Sequence, residues 1–222
     1  MKQFLFLYPI PEYFNSEIGE GAYRLLGRYG DDELAEKIQK SAPEEKERIV
    51  EERLCELKEE FQRIYRTNLN VCIDLRYRQR GFRINYALFD GSPVSDLVNL
   101  QESDRIIRVG MDFKTHTTKQ TDGKYPYPDQ DYILNQLGEI KVITVSGFHM
   151  WSWVEKLARR AYERGIDTLV DEDLTEFLSW QMMRESFRTD QYPSYNPKTD
   201  EEGVVDLFME SRKDKPWLWQ DY

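Results

Sequence analysis

One segment in the second half of the chain constrains the fold most, because its hydrophobic period changes from strand to helix and back. Residues 142–145 form a β-branched apolar run, Val-Ile-Thr-Val, and a Ser-Gly turn follows it. Residues 150–164 have the apolar spacing of a helix that ends at a glycine, and residues 168–170 are a second short apolar run. A strand, a helix and a strand joined by short links predict a βαβ unit, which requires a parallel sheet with a right-handed crossover.

The rest of the chain supplies further elements of the same kind of fold. Residues 3–8 form a continuous apolar run that is bounded by prolines, which is typical of a strand covered on both faces. Residues 15–40 have a helical pattern, residues 105–109 form another short strand, and a short helix begins at Asp129. We therefore expect one α/β domain over residues 1–222, a Rossmann-like three-layer sandwich with a mainly parallel sheet.

A long helix is predicted to begin near Ser41, because Ser41 and Glu44 have capping-box spacing and Pro43 suits a first turn. We expect this helix to run to about Arg66. Its apolar residues, spaced by four and three, are Val50, Leu54, Leu57, Phe61 and Ile64. Such a stripe fits either a helix that lies on the sheet or a short seam between two subunits.

The residues after this helix predict an inserted β-hairpin. Apolar and polar residues alternate over residues 71–77 and again over residues 82–88, and Gln79-Arg80-Gly81 lies between the two runs. Two runs of period two about a glycine-containing turn are typical of a hairpin. A helix that ends at Gly81 is the alternative interpretation.

The final segment, residues 188–222, is interpreted as a C-terminal arm. It contains Pro193, Pro197 and Pro216 and has no clear periodicity, but it also carries apolar residues such as Trp217. Aromatic side chains of this kind are usually covered, so we expect the arm to pack on its own domain or on a partner subunit. Together with the helix stripe, the arm motivates the prediction of a homo-oligomer, most simply a dimer.

Composition excludes several classes of function. Lys and Arg number 31 against 41 Asp and Glu, and the formal net charge of −10 argues against a broad nucleic-acid or anionic-membrane surface. No apolar run approaches the roughly 20 residues of a membrane span. Residues 4–8 are too short for a signal peptide. Cys55 and Cys72 fit no CxxC motif. One disulfide between them is possible, but two buried free thiols in a reducing cytoplasm are the simpler interpretation.

Residues 142–171, VITVSGFHMWSWVEKLARRAYERGIDTLVD, resemble the signature of the isochorismatase-like cysteine hydrolases. In that family a hydrophobic strand ends in glycine, and a Cys-Val pair follows a few residues later. A helix with a small-residue face then leads through a glycine turn to a strand that ends in Asp. The resemblance implies an isochorismatase-like fold and an Asp–Lys–Cys triad, in which the cysteine attacks a carbonyl or imine-like carbon.

This chain departs from the family pattern at all three triad positions. The position that resembles the nucleophile holds Trp153, the position of the acid holds Pro9, and the lysine falls at or next to Val109. Tryptophan cannot form a thiolate and proline cannot act as a base. The resemblance therefore implies a divergent family member that lacks cysteine hydrolase activity.

Ligands of parallel α/β sheets bind beyond the carboxyl ends of the strands, so residues that follow the predicted strands are candidates for a site. The ligand-binding candidates selected in this way are Tyr8, Glu12, Asp112, Lys114, His116, His149, Trp153 and Asp171. Both histidines of the chain belong to this set. We therefore expect them to lie on the same rim of the sheet.

Each candidate has a structural interpretation beside the functional one. Asp171 can cap a following helix, and Trp153 can fill the space that a substrate would use. A polar pocket around the two histidines, with Asp112 and Glu12, can instead hold a divalent metal or act as an acid/base site. No metal ligand, catalytic residue or cofactor is assigned from the sequence.

These observations favour a binding or assembly protein on an isochorismatase-like fold. The alternative is a hydrolase, or an enzyme that binds a small ligand or a metal, with a rebuilt site at the carboxyl ends of the strands. A second copy of the chain and a small molecule are the expected partners. Neither a membrane nor nucleic acid is expected as a partner.

Overall fold

The computed structural model describes residues 1–28, 32–175 and 214–218. The strands of this part of the chain are β1 (Lys2–Leu7), β2 (Arg83–Asp90), β3 (Arg105–Asp112), β4 (Val142–Gly147) and β5 (Asp167–Thr175). The helices are α1 (Pro11–Arg28), α2 (Asp32–Lys40), α3 (Pro43–Arg76), α4 (Phe113–Thr117), α5 (Gln130–Gln136) and α6 (Glu155–Glu163). A 3₁₀ turn at Arg78–Arg80 follows α3, and a π-helical turn at Met150–Val154 precedes α6.

The described strands form one sheet in the order β3-β2-β1-β4-β5, and every neighbouring pair is parallel. Because β1 is central, its side chains are buried on both faces. Phe4 and Phe6 pack under α1 and α3, and Leu5 and Leu7 pack under α5 and α6. The prediction of a three-layer α/β sandwich with a mainly parallel, Rossmann-like sheet is confirmed.

The βαβ unit of the sequence analysis is present as β4, the π-helical turn, α6 and β5. Ala158 and Ala161 bring α6 close to the sheet, and the helix ends before Gly165, whose φ of 76° few other residues adopt. The predicted end of the last strand is wrong, since β5 continues through Asp171 to Thr175. A bulge between Val145 and Gly147 accommodates the additional residues. The rest of the predicted helix 174–187 lies outside the described residues.

Helix α3 is longer than predicted and begins without the predicted cap. Its N-cap is Ala42, and Ser41 instead donates its hydroxyl hydrogen to the carbonyl oxygen of Lys37. The buried residues of α3 recur every four positions and are Leu57, Phe61, Tyr65, Leu69 and Ile73. They lie on the sheet, and Leu54 and Ile64 pack beside them. Most of the predicted stripe therefore belongs to the core of this chain, and the dimer stays a prediction.

The predicted hairpin is wrong, and the alternative of a continuing helix is close to what the structure shows. Residues 71–76 belong to α3, the 3₁₀ turn follows, and Gly81 has a φ of 77°. The alternation at Val71, Ile73, Leu75 and Tyr77 was misleading. Ile73 and Tyr77, four residues apart, are buried, whereas Val71 and Leu75 are 48% and 52% exposed. A helical period of four was thus hidden in an apparent period of two.

Part of the C-terminal arm, residues 214–218, lies against this domain. Trp217 and Leu218 are buried in the core on the α6 side of the sheet, and the carbonyl oxygen of Trp217 accepts a hydrogen bond from the amide of Val170 at 2.8 Å. Lys215 pairs with Glu155 at 3.4 Å. Residues 188–213 and 219–222 of the arm lie outside the described residues.

Candidate functional site

The carboxyl ends of β1 and β4 have unusual backbone conformations. Tyr8, directly after β1, has a φ of 55°, and Gly147, the last residue of β4, has a φ of 110°. A Cβ atom at Gly147 would lie 2.2 Å from the carbonyl oxygen of Leu7, so only glycine allows the two strand ends to approach this closely. The Phe148–His149 peptide bond that follows is cis. Residues held in sparsely populated φ/ψ regions cluster at functional sites, which directs attention to this edge of the sheet.

Trp153 lies at the centre of this edge and is only 3% exposed. Its indole ring contacts Tyr127 with a centroid distance of 4.4 Å, and it contacts His116 at 4.7 Å and Tyr8 at 5.0 Å. These are the separations of favourable aromatic pairs. The residue at the nucleophile-like position is therefore a packed aromatic side chain.

Beside the indole, three rings form a stack. Tyr8 stacks on Phe89 at 4.4 Å, and Phe89 stacks on His116 at 5.2 Å, with interplanar angles of 16° and 13°. The members come from the ends of β1 and β2 and from α4. We call the six rings Tyr8, Tyr13, Phe89, His116, Tyr127 and Trp153 the aromatic cluster.

The hydroxyl of Tyr8 is buried in the aromatic cluster, and it has no hydrogen-bond partner in the part of the chain that the structure describes. Burial raises its pKa well above the ordinary value, and the nearby Tyr13 raises it further. Tyr8 therefore stays protonated and has a hydrogen to donate. A buried hydroxyl without a partner is costly, so this atom is the least satisfied polar group of the aromatic cluster.

His116 and His149 both reach this edge, and each contacts the aromatic cluster. Nδ1 of His116 lies 3.0 Å from the carbonyl oxygen of Pro126, so this nitrogen carries the hydrogen and donates it. Burial lowers the pKa of His116; the hydrogen bond to Pro126 raises it, and His149 and Lys156 lower it further. The half-buried ring of His149 lies 4.8 Å from Tyr13. The expectation that the two histidines share one rim agrees with this placement.

Three polar side chains lie on the exposed side of Trp153. Ser152 Oγ donates to the hydroxyl oxygen of Tyr127 at 3.3 Å, and Lys156 Nζ lies 3.2 Å from the centre of the Tyr127 ring. The hydrogen bond from Ser152 lowers the pKa of Tyr127, and the charge of Lys156 adds to this effect, while burial opposes it. Ser152, Tyr127 and Lys156 thus form a compact polar group next to the rings.

The remaining sequence candidates at this edge are exposed. Asp112 caps α4, where its carboxylate accepts hydrogen bonds from the amide of Thr115 at 2.8 Å and from its hydroxyl at 2.7 Å. These bonds lower the pKa of Asp112. Glu12 and Lys114 are exposed in the first turns of α1 and α4. Among the described residues, no group of three or more His, Cys, Asp and Glu side chains could hold a metal ion, so the polar pocket is not assembled as a metal site.

Asp171 lies elsewhere, because β5 does not end before it. Its carboxylate accepts a hydrogen bond from the hydroxyl of Tyr77 and lies 3.3 Å from Arg76 Nη1. Both partners are at the end of α3, on the opposite face of the sheet from Trp153. The structure thus gives Asp171 the role of joining β5 to α3.

Sequence reasoning did not select Tyr13, Phe89, Tyr127, Ser152 or Lys156. Of these five residues, only Tyr127 has a sequence feature that points to function. It lies in the run Tyr-Pro-Tyr-Pro at the end of the polar loop 114–128, and the length of that loop suggests function. Ser152 and Lys156 are four residues apart and so share a helix face. That alone does not distinguish them from a solvated pair.

No protein-family model, curated protein or solved structure is significantly similar to this chain. In its described part, the chain has no helix that is long and apolar enough to cross a membrane.

Proposed function

We propose that this chain is a divergent isochorismatase-like binding protein, without cysteine hydrolase chemistry, that takes a small ligand with a planar ring at the carboxyl edge of its sheet. The observation that carries the proposal is the aromatic cluster around Trp153. The edge where parallel α/β sheets bind ligands is here lined by rings in contact with one another, and no thiol lies among them.

The two cysteines support the first part of this proposal. Cys55 and Cys72 both lie on α3, which covers the face of the sheet opposite to Trp153. A thiol on that face cannot attack a ligand at the carboxyl edge. The double variant Cys55→Ser/Cys72→Ser should therefore keep every activity of the wild type toward simple amides and esters. Loss of a measurable hydrolysis in this variant would contradict the assignment.

The aromatic cluster supports the second part. Tyr127 is 40% exposed, His116 and Tyr13 are half-buried, and all three present ring surface that a planar ligand can contact. Stacking or edge contacts with aromatic rings contribute about 0.5–1.5 kcal/mol each beyond area burial.

The experiment compares benzamide with cyclohexanecarboxamide, a probe of similar size without a planar ring. We expect benzamide to bind more tightly in calorimetric titrations of the wild type. Tyr127→Ala should weaken benzamide binding several-fold. Tyr125→Ala is the matched control, because Tyr125 lies in the same loop and is 44% exposed but contacts Lys119 rather than the aromatic cluster. Equal binding of the two probes, or equal loss in both variants, would refute the proposal.

The second candidate is an enzyme with a rebuilt site, and His116 favours it. Since Nδ1 donates to Pro126, Nε2 carries the lone pair, and it has no hydrogen-bond partner among the described residues. A neutral imidazole in this state can accept a proton from water as a general base. Hydrolysis of an amide or ester panel, with activity lost in His116→Gln and kept in the double cysteine variant, would favour this candidate over a binding protein.

A further inference from the structure

We propose that Tyr127, Ser152 and Lys156 form an anion subsite beside the aromatic cluster, so that the planar ligand carries a carboxylate. This inference rests on the proposed function and adds the charge of the ligand to it. Two hydroxyl groups and one ammonium group meet at the exposed side of Trp153. An oxygen anion placed there accepts hydrogen bonds from donors that already lie close together.

The geometry of the group is set by two elements. Ser152 lies in the π-helical turn and Lys156 lies four residues later in the first turn of α6, and Tyr127 approaches them from the loop before α5. Ser152 donates to the hydroxyl oxygen of Tyr127, which leaves the hydroxyl hydrogen of Tyr127 available for another acceptor. Lys156 Nζ, held over the ring at 3.2 Å from its centre, supplies the positive charge.

In the part of the chain that the structure describes, no carboxylate lies within ion-pair distance of Lys156, although the formal net charge of the protein is −10. Lys124 in the adjoining loop, by contrast, lies 3.9 Å from Asp122, and Lys215 pairs with Glu155. The loop 114–128 itself contains three lysines and one aspartate.

The ammonium group of Lys156 beside two hydroxyl groups favours an anion. The position of these donors also favours a small anion, because they lie against the aromatic cluster rather than on a broad face of the domain. A carboxylate attached to a planar ring satisfies both requirements at once. Its oxygens reach Tyr127 and Lys156 while its ring lies against the exposed ring surface.

The test compares benzoate with benzamide, which have the same shape and differ in charge, by calorimetric titration at low salt. We expect the wild type to prefer benzoate. Lys156→Met should weaken benzoate binding roughly tenfold, the range of a charge-assisted hydrogen bond, and should weaken benzamide binding much less, so that the preference for benzoate is lost. Lys124→Met is the control, because Lys124 is an exposed lysine of the loop that carries Tyr127. This variant loses the same charge but should still prefer benzoate to benzamide.

A second measurement separates a ligand contact from a structural role. NMR titration of ¹³C-labelled tyrosine should show a resting pKa of Tyr127 that increases in Ser152→Ala and in Lys156→Met. Saturating benzoate should raise the pKa of Tyr127 in the wild type, because a nearby anion disfavours the phenolate, whereas benzamide should not. Among the described residues, the other charged or titratable groups that face this ring are His116 and Tyr13, and neither variant changes them.

The outcomes distinguish the two proposals. If benzamide and benzoate bind equally and Lys156→Met affects neither, the anion subsite is refuted and the planar-ring site stands. If benzoate binds more tightly but shifts no tyrosine pKa, the anion lies elsewhere and the subsite is also refuted. If neither probe binds, the proposed function fails, and the subsite fails with it.

Discussion

The indole of Trp153 and the imidazole of His116 lie 4.7 Å apart, although one residue follows β4 and the other follows β3. These two strands are not neighbours, since β2 and β1 lie between them in the sheet. The contact therefore crosses the carboxyl edge above the central strand. It shows that this edge is a packed surface in which side chains from separate loops hold one another in place.

A glycine at the end of β4 should be essential for this arrangement. Gly147→Ala places a methyl carbon 2.2 Å from the carbonyl oxygen of Leu7 and forces a φ of 110° on alanine. We expect a loss of at least about 3 kcal/mol in the free energy of unfolding, measured with urea. Gly123→Ala is the control, because its φ is 78° but nothing lies within 4 Å. It should cost only about 1 kcal/mol, and equal losses in the two variants would refute the close-approach explanation.

The ion pair between Arg78 and Asp104 should contribute strongly to stability. Asp104 is joined to Arg78 Nη2 at 2.8 and 3.0 Å, and its side chain is 2% exposed. Asp104→Asn should destabilise the fold by roughly 3 kcal/mol, because it leaves a partly buried guanidinium without its main partner. Glu52→Gln, which removes the exposed partner of Arg48, should change stability by less than about 0.5 kcal/mol. Similar unfolding midpoints for both variants would show that the buried pair is not important.

Asp171 should be needed for stability and not for ligand binding. Its carboxylate is held by Tyr77 and Arg76 at the end of α3, so Asp171→Asn should lower the free energy of unfolding by about 2 kcal/mol. The affinity for benzamide should be unchanged in calorimetric titrations of the folded variant. If Asp171→Asn unfolds like the wild type but no longer binds benzamide, Asp171 belongs to the ligand site and the prediction is wrong.

The stability of the protein should depend on the protonation of His116. Burial lowers the pKa of this imidazole below its ordinary value of 6.5, so the unfolded chain binds its proton more readily than the folded chain. Stability therefore falls as the pH decreases through about 6.5 toward the lower folded pKa, and it is restored above 6.5. His116→Gln should reduce this slope in urea unfolding experiments at several pH values. A folded pKa above 6.5 in an NMR titration would reverse the sign and refute the prediction.

The parts of the fold that the sequence predicted correctly are those where a local period has one interpretation. The β-branched run at 142–145 and the small residues of α6 are of this kind, and the βαβ unit followed from them. Residues 71–77 are not, because Val71 and Leu75 repeat the spacing of Ile73 and Tyr77 on the opposite side of the helix. Only the neighbouring sheet decides which of the two pairs is buried.

The site was predictable to the same limited degree. The rule about strand ends selected Tyr8, His116 and Trp153, which the structure brings together. It also selected Asp171, because nothing local signals that a bulge lets β5 continue to Thr175. Tyr127 reaches Lys156 of α6 through the path of the 114–128 loop across the domain, and that path depends on contacts between residues distant in the sequence.

The most direct test of the ligand site is an NMR titration of ¹⁵N-labelled protein with benzamide, in which the indole N–H signals are followed. A spectrum of Trp153→Phe identifies the signal of Trp153, and a spectrum of Trp217→Phe identifies a control indole, which contacts Tyr162 rather than the rings of the aromatic cluster. We predict that benzamide shifts the Trp153 indole and the amides of Tyr127 and Lys156 in a saturable manner, and leaves the Trp217 indole in place. Saturable shifts that spare Trp153, or no shifts at all, would contradict the account.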